Sequence, residues 1–217
     1  MILYRLPILI AVMGLVYIYI VPAEPFAIKL IFKIVPMLMI IYYAATKMDE
    51  NKKPVHRLLL IGLFICMIGD ATIHWFIIGL AAFLIGHLFY IAGFITQWKF
   101  SIGRFLAIVP IGIYGFLVGR EIIEAVQDKG QQSLILPIIF YMLTISVMAW
   151  TAIMTRNKWA TIGSLLFVIS DSILAWNKFV VPLQYADSLI MLTYYAAQFF
   201  IAHSLWTISG KRKQIIW

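Results

Sequence analysis

Residues 58–76 read Leu58-Leu59-Leu60-Ile61-Gly62-Leu63-Phe64-Ile65-Cys66-Met67-Ile68-Gly69-Asp70-Ala71-Thr72-Ile73-His74-Trp75-Phe76. From Leu58 to Ile73 a single charged side chain, Asp70, interrupts an otherwise apolar run. A run approaching the ~20 apolar residues needed to cross about 30 Å of hydrocarbon predicts a transmembrane helix. An ionised aspartate inside such a helix costs about 2.5–3.5 kcal/mol on insertion scales, so Asp70 must face the interior of a helix bundle. The stretch therefore predicts an all-α integral membrane protein with a polar group in its core.

Seven more runs flank this one, approximately from Leu6 to Val21, Ile28 to Ala45, Ile77 to Thr96, Phe105 to Gly119, Leu134 to Met154, Ala160 to Val180 and Ser188 to Ile208. Composition agrees. Of 217 residues, 12% are charged and 64% hydrophobic, and the mean hydropathy is +0.98, whereas a soluble domain carries about 25% charged residues. A soluble enzyme, a disordered chain and a disulfide scaffold are excluded. The net charge of +8 does not point to nucleic acid, because the basic residues sit in short clusters between apolar runs and act as orientation signals. The lone Cys66 allows neither an intrachain disulfide nor a cysteine-based zinc site.

Eight transmembrane helices with both termini on one side put 12 Lys and Arg on that side: Arg5, Lys47, Lys52, Lys53, Arg57, Lys99, Arg104, Arg156, Lys158, Lys211, Arg212 and Lys213. The other side holds 5: Lys29, Lys33, Arg120, Lys129 and Lys178. The positive-inside rule makes the richer side cytoplasmic, so both termini are predicted to be cytoplasmic. A bacterial cytoplasmic membrane is expected rather than the endoplasmic reticulum. Arg5 ahead of a short run ending in Val21-Pro22-Ala23 also has the form of a cleavable leader, whose removal would leave the other seven spans oriented as described. The polar stretches from Lys47 to Arg57 and from Arg120 to Ser133 are read as loops, too short to fold alone. Residues 1–217 thus form one transmembrane domain.

That domain contains a repeat. At an offset of 101, Ile61 to Trp75 aligns without gaps to Ile162 to Trp176, with Ile, Gly, Ile, Asp and Trp identical at five of fifteen positions. An offset of four helices, an even number, predicts two parallel four-helix repeats, about 1–98 and about 99–217, related by a pseudo-twofold axis along the membrane normal. Such an axis brings Asp70 and Asp171 face to face. Asp70 follows Arg57 by 13 residues and Asp171 follows Lys158 by 13, so both lie about 20 Å from the cytoplasmic end at 1.5 Å per residue. Similar arithmetic from the opposite end brings Lys33 and Tyr194 toward that level, with His87 and Gln198 somewhat deeper.

Two carboxyl groups in a dry pocket resist ionising together, which sets a general acid beside a general base. The structural alternative is an aspartate paired with Lys33 or capped by a tyrosine, holding the bundle together. A proton-coupled lipid or small-molecule transporter, or a flippase, would use the same intramembrane carboxylates. His87, with Tyr90 at i+3, fits an interior hydrogen-bonding group better than a metal ligand. A metal site drawn from Asp70, His74, His87 and His203 lacks any histidine pair at i+3 or i+4 spacing. Lys33 either binds a lipid phosphate or snorkels outward. Gly115-xxx-Gly119 fits helix packing.

Lys33-x-x-Pro36, Gly69-Asp70, Gly86-His87-x-x-Tyr90-x-x-x-Phe94, Ser170-Asp171 with Asn177-Lys178-Phe179, and Tyr194-Tyr195-x-x-Gln198, taken in order, resemble the YhhN-type lysoplasmalogenase family of eight-span membrane proteins. The resemblance covers nearly the whole chain. It implies hydrolysis of the vinyl ether bond of lysoplasmalogens to a fatty aldehyde and glycerophosphocholine or glycerophosphoethanolamine, with a lysophospholipid substrate drawn from the bilayer. Asp70 and Asp171 are then the expected catalytic pair, and Lys33, His87, Tyr90, Asn177, Lys178, Tyr194, Tyr195 and Gln198 the expected substrate-binding residues. Such chemistry needs no metal, nucleotide or covalent nucleophile, so no cofactor is expected.

Overall fold

The computed structural model describes residues 2–47 and 53–208. Lys52, Lys211, Arg212 and Lys213, four of the charges assigned to the cytoplasmic side, lie outside the described residues. The described chain is helical, with no strand: α1 (Ile2–Tyr19), α2 (Phe26–Thr46), α3 (Pro54–Thr72), α4 (Phe76–Ile95), the short α5 (Ile102–Phe105), α6 (Ile108–Asp128), α7 (Ile135–Met154), α8 (Lys158–Ala175) and α9 (Ala186–Ile208). Seven segments among the described residues are long and apolar enough to cross a membrane, and α1 contributes a shorter apolar helix from Arg5 to Tyr19. The protein is an integral membrane protein of the all-α class.

Local chemistry sets the helix boundaries. Pro54 occupies the first turn of α3, where its missing N–H leaves no bond unmade and its fixed φ suits the helix. The Asn157 side chain caps α8 by accepting from the backbone N–H of Trp159 at 3.0 Å and of Ala160 at 3.1 Å, which satisfies two donors that a helix start leaves free. The turn from Ile73 to Trp75 reverses the chain between α3 and α4, with Trp75 N–H donating to the Thr72 carbonyl at 2.8 Å.

Two helix pairs, α3 with α4 and α8 with α9, pack most intimately. Glycine permits it. A Cβ on Gly62 would sit 2.5 Å from the buried Tyr90 ring, and one on Gly163 would sit 2.8 Å from the Ala197 carbonyl oxygen. Between apolar helices in lipid, close backbone approach of this kind replaces the hydrophobic driving force available in water. Around these pairs, α2 packs on α9 and α4 packs on α7, while α1 lies against α2 and α9. The main core runs through the centre, with Met37, Leu63, Cys66, Tyr90, Phe167 and Ile201 fully buried.

The stretch from Arg120 to Asp128 differs from the sequence reading. Taken as part of a loop because of its charges, it continues α6. Ile122 and Val126, four residues apart, are buried with Ile138 and Phe179 in a second small core. Arg120 Nε meets Glu124 at 2.9 Å on the exposed side of the same turns. An apolar stripe with charges opposite it is a helix pattern, and charge density alone conceals it. The seventh run also changes character at its end: α8 stops at Ala175 and Trp176–Val180 form one wider π turn.

Candidate active site

Asp70 lies near the end of α3, 3% exposed, and two side chains converge on it. The Tyr194 hydroxyl of α9 donates to its Oδ2 at 2.6 Å. The Lys33 ammonium of α2 lies 3.6 Å from Oδ1 and donates to the Asp70 backbone carbonyl at 3.2 Å. Behind Tyr194 the bonds continue inward. Gln198 Nε2 donates to the Tyr194 hydroxyl at 3.2 Å, and the Tyr90 hydroxyl donates to Gln198 Oε1 at 2.7 Å. The Tyr195 hydroxyl donates to the Lys33 carbonyl at 2.8 Å, tying α9 to the turn of α2 that carries the lysine. Chained hydrogen bonds in a low-dielectric interior fix each member's orientation, so Asp70 is held on two sides.

Asp171 lies one residue past Ser170 on α8 and accepts a hydrogen bond on Oδ2 from the Tyr141 hydroxyl of α7. Asp70 and Asp171 line one cavity of about 120 Å³, with Lys33, Tyr141, Tyr194 and Ser170 among the polar groups of its wall and apolar side chains of α3, α4, α6, α7, α8 and α9 making up most of the rest. At about 10–15 Å³ per water-sized group, that volume holds on the order of ten such groups.

The expected substrate-binding residues divide. Lys33 and Tyr194 reach the cavity wall, while Tyr90, Tyr195 and Gln198 stand behind them in the network just described. His87 is fully buried but outside the wall, edge-on to Phe167 at a centroid distance of 4.5 Å and 5.5 Å from the Tyr141 ring; neither ring nitrogen has a protein partner. Asn177 and Lys178 are engaged elsewhere. Asn177 Oδ1 accepts from the Leu183 backbone N–H at 2.8 Å and closes the turn after the π segment. Lys178 lies over the ring of Phe76, a residue of the cavity wall, at 4.5 Å. Among the described residues, no three His, Cys, Asp or Glu side chains converge as a metal site requires.

Sequence reading missed Tyr141 and, in the cavity wall, Tyr114 and Ser172. Tyr141 sits within an apolar run with no charge near it in sequence, where tyrosine serves packing as readily as hydrogen bonding. Its one signal was depth, 13 residues before the end of α7 at Met154, matching the 13 that separate Asp171 from Lys158.

Fold and site together define a polytopic helical membrane protein in which a buried and a part-buried carboxyl group open on one mainly apolar cavity. The chain belongs to the YhhN family, which it matches over residues 28–205. It is 34% identical over 145 residues to lysoplasmalogenase TMEM86B of Mus musculus, covering 64% of this chain and 60% of that protein. To lysoplasmalogenase TMEM86B of Homo sapiens it is 35% identical over 156 residues, 67% and 62% of the two chains. To a lysoplasmalogenase of Mycobacterium tuberculosis (strain CDC 1551 / Oshkosh) it is 29% identical over 133 residues, 58% and 49%. The chain thus spans about three fifths of the length of the mammalian relatives. No solved structure matches it.

Proposed function

We propose that this protein hydrolyses the vinyl ether bond of lysoplasmalogens, releasing a fatty aldehyde and a glycerophosphocholine or glycerophosphoethanolamine, with Asp70 and Asp171 as an acid–base pair. The observation that carries the reading is the single cavity that both aspartates line, each held by a tyrosine hydroxyl from another helix. Relatives named lysoplasmalogenase give the substrate class.

The two environments separate the roles. Asp70 faces the Lys33 ammonium and serves as the carboxylate. Asp171, whose partner is the neutral Tyr141 hydroxyl on Oδ2, serves as the acid and carries its proton on Oδ1. Asp171 protonates the β-carbon of the vinyl ether, giving an oxocarbenium ion steadied by the Asp70 carboxylate. Water attacks the α-carbon and returns a proton to the pair. The hemiacetal then collapses, its hydroxyl proton passing to the glycerol oxygen as the C–O bond breaks. Tyr194 and Tyr141 position the carboxyl groups, and Gln198, Tyr90 and Tyr195 hold Tyr194 and Lys33 in turn. Lys33 also faces the lipid phosphate, and Lys178 sits on Phe76, a residue of the cavity wall.

Two parallel repeats and eight spans with both ends on the positively charged side complete the proposal. Support comes from the pairing of α2 with α9 and of α4 with α7, contacts that exchange when the repeats are exchanged, and from Pro36 and Pro137, which share the offset of 101. Labelling of single cysteines placed at Lys99 and Lys129 checks the topology: they should react from opposite sides, and reaction from the same side contradicts it. The activity test is aldehyde release from a lysoplasmalogen by the purified protein in detergent. A transporter or flippase releases none.

A further inference from the structure

A second hollow, of about 640 Å³, lies between α6 and α7 and shares Gly115, Met142 and Ser146 with the wall of the aspartate cavity. The shared wall is thin. A Cβ on Gly115 would have no neighbour closer than Ser146 Oγ at 3.5 Å, and one on Gly112 would meet nothing within 4 Å. Met142, a flexible side chain that fills irregular gaps, closes the wall over Gly119, where a Cβ would lie 2.4 Å from its methyl group. The hollow is lined chiefly by apolar groups such as Ile111, Phe116, Leu143 and Val147. Its two charged members, Arg120 and Glu124, pair with each other at 2.9 Å and leave no charge unmatched for a ligand. From Ile108 to Glu124 it follows α6 for about 24 Å, most of the ~30 Å hydrocarbon thickness.

We infer that this groove is the tail subsite: the hydrocarbon chain of the substrate lipid leaves the aspartate cavity through the wall of Gly115, Met142 and Ser146 and lies between α6 and α7. The inference rests on the lipid hydrolase reading above and adds where the tail goes. The larger hollow adjoins the aspartate cavity across that wall, and its apolar lining suits a hydrocarbon chain. Depth agrees. Gly115 lies seven residues into α6, and the groove runs from it to Ile108 at the start of that helix. Lys33, seven residues into α2, lies toward the opposite end, so head, vinyl ether and tail follow one line. On its other side, α6 is tied to α8 beside Asp171 by the Tyr114 hydroxyl donating to Ser172 Oγ at 2.9 Å.

The test uses the variant Gly115→Cys with Ser146→Cys, a pair in which a Cβ at position 115 would lie 3.5 Å from the Oγ at position 146, near enough for an oxidant to join the two sulfurs. The probe is a single-chain phospholipid with an alkyl ether in place of the vinyl ether and a diazirine at the end of its tail. With the wild-type chain, photolabel is expected on Ile108, Ile111 or Val147. Oxidising the cysteine pair should cut that label at least tenfold, and reduction of the same sample should restore it, which also controls for misfolding. Label confined to other helices, or groove label unchanged by oxidation, overturns the inference. Aldehyde release is measured separately on the same wild-type preparation: groove label without aldehyde sinks the hydrolase reading alone, and aldehyde without groove label sinks the tail subsite alone.

Discussion

The seams between α3 and α4 and between α8 and α9 use glycine to close, whereas the seam between α6 and α7 leaves room at Gly112 and Gly115 and is filled by the flexible Met142 at Gly119. At Gly163 an added methyl would meet backbone, while at Gly112 it would meet open space. The two closed seams carry Asp70 and Asp171, and the open seam borders the cavity they line. In the proposed mechanism, rigid pairs would hold the two aspartates to the narrow tolerances that acid–base chemistry needs, and the looser pair would take the hydrocarbon chain. Glycine spacing alone does not separate these uses; the side chain that faces each glycine does.

The largest effect that would sharpen this contrast is at the acids. Asp70→Asn and Asp171→Asn are nearly isosteric, so each should lower aldehyde release by roughly 10²–10⁴ while thermal stability changes little. Activity losses that merely track loss of folded protein would return the aspartates to a structural role. Next comes Gly163→Ala, which forces a methyl against the Ala197 carbonyl and should cost about 1–3 kcal/mol, seen as a lower melting temperature in detergent. An unchanged melting temperature would mean the closed seam yields as easily as the open one. Tyr141→Phe removes the hydroxyl that positions the protonated Asp171, a bond between neutral groups worth about 0.5–1.5 kcal/mol, and should lower kcat by up to about tenfold with KM nearly unchanged. A change in KM alone would place Tyr141 among the substrate contacts. The smallest effect has the opposite sign. Gly112→Ala on the open seam should raise stability by about 0.5–1 kcal/mol, because alanine is the better helix former where nothing is crowded.

Seven long apolar segments were legible because lipid imposes a strong constraint on apolar length, α1 being a shorter apolar helix, and Pro54 and Asn157 sit where helix starts require them. Around Asp70 the gathering was legible too, because Lys33, Tyr194 and Gln198 are rare polar groups in apolar runs and helix rise converts their positions into depth. Tyr141 was not, since a tyrosine in an apolar run has no sequence partner to reveal it. The repeat also suggested more symmetry than the site has: at the offset of 101, Leu134 stands where Lys33 would recur, and the two aspartates have different partners. Charge misled at Arg120 to Asp128, where ion pairing on one face and Ile122 with Val126 on the other make helix.

That Asp70 and Asp171 act as one unit is tested most directly by aldehyde release from a lysoplasmalogen, measured for the wild type, the two single Asn variants and the double variant under identical conditions. Groups that share one proton transfer are non-additive, so the double variant should be hardly slower than the slower single one. Losses that multiply, with the double variant slower by the product of the two single factors, would show two independent groups and contradict the acid–base pair.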